Sequence, residues 1–83
     1  MIRLRLLSRP GCGLCDEMRA RVDELLEDRP HDWEIVDIDA EPDLARRFSD
    51  VIPILYVNDR VFAKTRLPPI ATRLRLLRAA SLG

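Results

Sequence analysis

Lysine is nearly missing: Lys64 stands alone beside thirteen arginines in a chain of 83 residues. Glycine is scarce at three, histidine occurs once, cysteine twice, and aromatics make up 5%. Each scarcity excludes something. Two cysteines cannot staple a small secreted scaffold, which needs several bridges. With His31 as the one histidine and no third cysteine, a structural zinc site would need carboxylates or a second chain to reach four ligands. Net charge is also absent, with 14 basic residues against 14 acidic. That removes the positive excess on which nucleic-acid binding draws, and it argues against a disordered charged tail. No run approaches the ~18 apolar residues of a membrane-spanning helix. The opening Met1 to Leu7 places arginines inside its apolar stretch and carries no small-residue cleavage site, so it is not read as a signal peptide. The expected location is the cytoplasm, where paired cysteines are catalytic, redox-sensing or metal-binding rather than structural. The arginine bias is read as host codon usage, because the chemistry of Arg against Lys does not account for it.

What is present suits one small globular domain spanning 1–83. Apolar residues form 47% of the chain, and a domain this size buries roughly 60–65% of its unfolded surface. Ile2 to Leu7 alternate with arginine, which predicts a strand with one better-buried face. Ser8-Arg9-Pro10-Gly11 is a turn cluster. From Cys12 to about Asp28, Leu14, Met18, Val22, Leu25 and Leu26 recur at helical spacing. Asp16 and Glu17 favour the positive end of that helix, Glu17 and Arg21 are spaced for an i,i+4 pair, and Pro30 closes it. His31 falls in the loop that follows. Trp33 to Ile38 read as a second strand, with Trp33 as a core or sheet-face residue. Asp39-Ala40-Glu41-Pro42 starts a short helix through Leu44, Ala45 and Phe48. Ile54 to Val57, in which Tyr56 also belongs to the core or a sheet face, form a central third strand. Asn58-Asp59-Arg60 make a tight turn into a fourth strand, Val61 to Ala63. Pro68-Pro69 open a last helix with an inner face of Ile70, Leu74, Leu77 and Leu67. The order strand-helix-strand-helix-strand-strand-helix predicts an α/β fold: a four-stranded mixed sheet with helices on both faces, in three α/β/α layers.

Chemistry concentrates in Gly11-Cys12-Gly13-Leu14-Cys15, where the first strand hands over to the first helix. A thiol at a helix N-terminus meets unpaired backbone N–H groups and the positive end of the dipole. Both favour the thiolate, the nucleophile of disulfide exchange. Cys12 is therefore the expected nucleophile, and Cys15, one turn inward, the resolving thiol. Gly11 and Gly13 keep side-chain bulk away from Cys12, so a substrate backbone has room to approach. Arg9 adds a positive charge nearby, while Asp16 opposes a thiolate. The bland alternatives are two inert buried cysteines and a solvated loop arginine. Asp37, Asp39 and Glu41 are explained by strand alternation and a helix start without a cation. Arg73, Arg75 and Arg78 read as a solvated helix face or a surface for an acidic partner.

These residues resemble the glutaredoxin-like branch of the thioredoxin superfamily. The resemblance rests on Ser8 to Cys15 after the first strand, on Val51-Ile52-Pro53 before the third, and on the element order. It implies a thioredoxin-like fold with the second strand beside the first, then the third and fourth. It implies a cis bond before Pro53, which packs against the cysteine pair, and a substrate-binding role for the Ile52 backbone. It implies that Arg9 lowers the thiol pKa and meets a glutathione carboxylate. Three departures bear on the substrate. Val51 stands where glutaredoxins usually have Thr, Gly-Leu replaces the common Pro-Tyr between the cysteines, and the Gly-Gly pair with its acidic residues is replaced by Lys64 to Pro69. Pro68 and Pro69 lack N–H groups, so this helix start offers fewer donors to a carboxylate.

The expected function is thiol–disulfide oxidoreduction by a monomer acting on a disulfide-containing protein or on glutathione. Glutathione enters as a co-substrate, and no metal or organic cofactor is required. Two other classes stay open at this stage. Gly13 fits the resemblance's iron–sulfur carriers, which bridge two chains through one cysteine and one glutathione each. A catalytically silent binding module that retains the fold is the other.

Overall fold

Leu4 and Leu6 are buried, while Arg3 and Arg5 between them reach solvent. That alternation makes Ile2–Ser8 the strand β1, as a period of two requires. In the computed structural model, which describes residues 1–82, it is followed by α1 (Gly13–Leu25), β2 (His31–Asp37), a 3₁₀ turn (Ile38–Ala40) and α2 (Pro42–Phe48). β3 (Ile54–Val57), β4 (Arg60–Lys64) and α3 (Thr72–Leu82) complete the chain. The sheet order is β2-β1-β3-β4. β1 pairs parallel with β2, from Ile2 opposite His31 to Ser8 opposite Asp37. It pairs antiparallel with β3, from Leu4 opposite Val57 to Leu7 opposite Ile54. The mixed sheet is the one the sequence predicts, and its strand order is the one the resemblance implies. None of the helices among the described residues is long and apolar enough to cross a membrane.

The β3–β4 hairpin turns through Asn58 (φ 47°) and Asp59 (φ 70°). Two successive positive φ values suit the right-handed twist of the flanking strands, and Asn and Asp tolerate them best after Gly. Asn58 is also a stitch. Its N–H donates to the Arg3 carbonyl, its side-chain oxygen accepts from the Arg3 N–H, and its amide nitrogen donates to the Ala80 carbonyl.

The core runs through Leu4, Leu6, Val22, Leu26, Ile38, Leu55, Val57 and Leu76. α1 and α3 are joined by Arg73, which donates to the Leu25 carbonyl and forks onto Asp28 at 2.9 and 3.0 Å. α2 is shorter, with none of its residues fully buried; Leu44 and Phe48 pack against the core. The rest of that sheet face is covered by charge instead of a helix. Arg5 holds Glu34 and Asp59, Arg3 also holds Asp59, and Arg5 lies over the Tyr56 ring.

Four expectations are corrected. α3 starts at Thr72, past Pro68-Pro69, because Ala71 sits at φ 56° and interrupts the helical path. Its inward line is Arg73, Leu76, Leu77 and Ala80, while Ile70 and Leu74 are 74% and 54% exposed. Arg21 pairs with Glu24, not with Glu17. His31 is no exposed loop residue: it opens β2, and its side chain is 15% exposed. Its Nδ1 lies 2.8 Å from the Arg29 carbonyl oxygen, and its Nε2 lies 2.8 Å from Asp23 on α1, which also accepts from the Trp33 indole.

Candidate active site

Cys12 occupies the N-cap of α1 in extended conformation, and the helix begins at the next residue. The turn before it needs Gly11, whose φ is +77°, a region open to glycine without steric cost. The Cys12 N–H donates to the Arg9 carbonyl, which closes that turn, and the Cys12 carbonyl takes the first helical bond from Asp16. The Cys12 sulfur accepts the Cys15 N–H at 3.1 Å. A sulfur thus stands where Ser or Asp would normally cap a helix. Cys15, on the inward face, is fully buried, and the two sulfurs form a disulfide with Cα atoms 5.3 Å apart. Cys12 is half-buried. A side chain at Gly11 or Gly13 would meet nothing within 4 Å.

The Ile52–Pro53 bond is cis, as the resemblance implies, and Pro53 is fully buried. The Ile52 N–H is already spent on the Phe48 carbonyl at 3.1 Å, and Val51 donates to the same oxygen. Among the described residues the Ile52 carbonyl has no such partner. The turn after β4 is strapped to this segment. Thr65, at φ 65°, gives its N–H to the Pro53 carbonyl at 2.6 Å and its hydroxyl to the Val51 carbonyl at 3.0 Å. Sequence reasoning missed this strap, since only the folded hairpin brings position 65 next to position 53.

Arg9 is committed elsewhere than its spacing from Cys12 implied. Its guanidinium forks onto Asp39 at 3.1 and 2.8 Å and donates to the Ser49 hydroxyl at 2.9 Å. Its hydrogen bond to Asp39 raises its pKa further, so it stays charged, with the charge compensated. Asp16 is exposed and makes no ion pair among the described residues. With the Arg9 charge compensated, what favours a thiolate at Cys12 is the set of backbone N–H groups and the dipole of the helix start. No group of three or more His, Cys, Asp and Glu side chains gathers as a metal site among the described residues.

Two depressions flank the cysteines. One lies between α1 and the β4–α3 turn, lined by Leu14, Met18 and Leu67, with Glu17, Arg21 and Arg66 at its rim. The other, toward β2, involves Pro10, Gly11, Ile35, Asp16 and Asp37.

A family model described as Glutaredoxin-like domain (DUF836) matches residues 3–75. Among solved structures, protein Ne2328 of Nitrosomonas europaea, determined by solution NMR, is 29% identical. The match covers 80% of each chain with a TM-score of 0.68. A structure described as that of a malarial protein is 19% identical over 94% of each chain, with a TM-score of 0.60; at that identity the likeness speaks for the fold alone. No curated protein matches the chain.

Proposed function

The chain belongs to the family of glutaredoxin-like domains, and from that membership we propose that it is a thiol–disulfide oxidoreductase acting through Cys12. One observation carries the reading: the Cys12 sulfur caps α1 and accepts the Cys15 N–H, with Cys15 buried behind it. In the reduced protein the same N–H and the helix dipole stabilise a thiolate on Cys12. The thiolate attacks one sulfur of a substrate disulfide. A bond forms between Cys12 and that sulfur, and the other substrate sulfur leaves as a thiolate and takes a proton. Cys15, having lost its proton, then attacks the Cys12 sulfur. The Cys12–Cys15 bond closes, the second substrate thiolate departs, and the substrate has gained two electrons from the dithiol. An external thiol reductant restores the pair by the reverse exchange.

Gly11 and Gly13 leave the approach open, while the Ile52 carbonyl, held by the buried Pro53 behind it, faces the substrate. Arg9 positions the loop through Asp39 and Ser49. The partner is a disulfide-bearing protein or glutathione, met by a cytoplasmic monomer, and the cycle runs without metal or organic cofactor. Titration of Cys12 by thiolate absorbance tests the reading. The expected pKa lies below the free-thiol value of about 8.5; a value at or above it overturns the claim of an activated site. Cys15→Ser should hold substrate on Cys12 as a stable mixed disulfide, read by intact mass, and Cys12→Ser should hold none.

A further inference from the structure

Resting on the dithiol reading, we infer that the disulfide taken by Cys12 belongs to a polypeptide, not to glutathione. The polypeptide places an apolar side chain in the groove of Leu14, Met18 and Leu67 and an acidic one against Arg66. Three observations converge on that occupant.

The first is continuity. Leu14 lies between the two cysteines in sequence, is 50% exposed, and forms one wall of the groove. A chain whose sulfur is bonded to Cys12 meets this wall with its neighbouring side chains.

The second is hydrogen bonding. A free γ-glutamyl end carries an α-carboxylate and an ammonium, and the carboxylate needs several donors to leave water. The turn facing the groove has few backbone donors to give. The Thr65 N–H and hydroxyl go to Pro53 and Val51, and the Arg66 N–H goes to the Lys64 carbonyl at 2.6 Å. Pro68 and Pro69 have none. An apolar side chain asks for no donors and gains by leaving water. With the Ile52 N–H spent on Phe48, main-chain pairing at the cis-proline segment is reduced as well. Recognition then falls more heavily on side chains.

The third is charge. Arg21 is compensated by Glu24. Arg66 is exposed and makes no ion pair among the described residues. The lip formed by the β4–α3 turn is therefore basic and uncompensated, whereas Glu17 faces it from α1. An acidic side chain on the polypeptide complements the lip, and such complementarity sets partner choice more than raw affinity.

The test is single-turnover oxidation of the pre-reduced protein, followed by acid quench and mass analysis. Four disulfides are compared: an aromatic disulfide without peptide groups, oxidised glutathione, and two peptide disulfides, Leu-Cys-Glu and Leu-Cys-Lys in otherwise identical frames. The expected order is Leu-Cys-Glu fastest, ahead of oxidised glutathione by about tenfold, the scale on which a pocket discriminates apolar groups. Leu14→Ser should shrink that advantage, and Arg66→Glu should reverse the preference between the two peptides. Failure of the aromatic disulfide to react removes the dithiol reading and this inference with it. Normal reaction with the aromatic disulfide, but oxidised glutathione as fast as the peptides, overturns this inference alone. An unchanged peptide preference in Arg66→Glu overturns the role of the lip.

Discussion

His31 has an acceptor on each ring nitrogen, the Arg29 carbonyl and the Asp23 carboxylate. Only the imidazolium donates from both. The Arg29 carbonyl first, and Asp23 second, raise its pKa against the pull of partial burial. Burial works to raise the Asp23 pKa too, but donation from Trp33 and His31 outweighs it, and the carboxyl is held below its usual range. A raised pKa in the folded state means that folding favours the protonated ring. That contribution is complete below the ordinary imidazole value of about 6.5. It fades as pH climbs through the higher folded value. The Asp23 contribution is present above the ordinary carboxyl range and is lost as pH falls through its lowered folded value. His31→Gln should thus flatten the loss of stability on the alkaline side of about pH 6.5, as read by urea midpoints across pH. An unchanged alkaline limb would remove the clasp from the account. Little of this was legible beforehand. The two cysteines announce their chemistry by standing at one helix start, but the partner of His31 lies on α1, across a turn. Arg9 likewise finds Asp39 thirty positions away, a pairing that no local spacing signals.

Among the elements, β1, α1 and β3 follow from periodicity because their apolar positions admit one face. α3 does not. Leu74, Leu76 and Leu77 crowd one turn, so two faces satisfy the spacing, and the Pro-Pro pair suggests a start before the real one. The observed face buries Leu76 and lets Arg73 reach Leu25 and Asp28. Leu76→Ala should then cost about 2–5 kcal/mol and Leu74→Ala under about 1 kcal/mol, compared by denaturant unfolding. The hairpin offers a second comparison. Asn58→Ala removes two side-chain hydrogen bonds and puts alanine at positive φ, at a cost of about 1.5–3 kcal/mol. Asp59→Gly relaxes a positive φ and gives up only exposed ion pairs, so its effect should stay within about 0.5 kcal/mol.

For the molecule as a whole, the small core sets the margin. A chain this short carries roughly 5–10 kcal/mol of stability, so one cavity is a large fraction of it. Leu55→Ala, in the fully buried centre of β3, should lower the thermal midpoint by roughly 10–30 °C, measured by circular dichroism. The charge lattice over the bare sheet face is exposed and contributes little by comparison. The near-absence of lysine acquires a practical meaning from where Lys64 lies. It ends β4, exposed, next to the strap that holds the cis-proline segment. The chain's only side-chain amine therefore sits on the edge strand of the sheet, on the face away from α1. At a pH high enough to free its ammonium, an amine reagent marks this one side chain besides the α-amino group, so a label on the β4 edge needs no engineering and leaves the other side chains untouched.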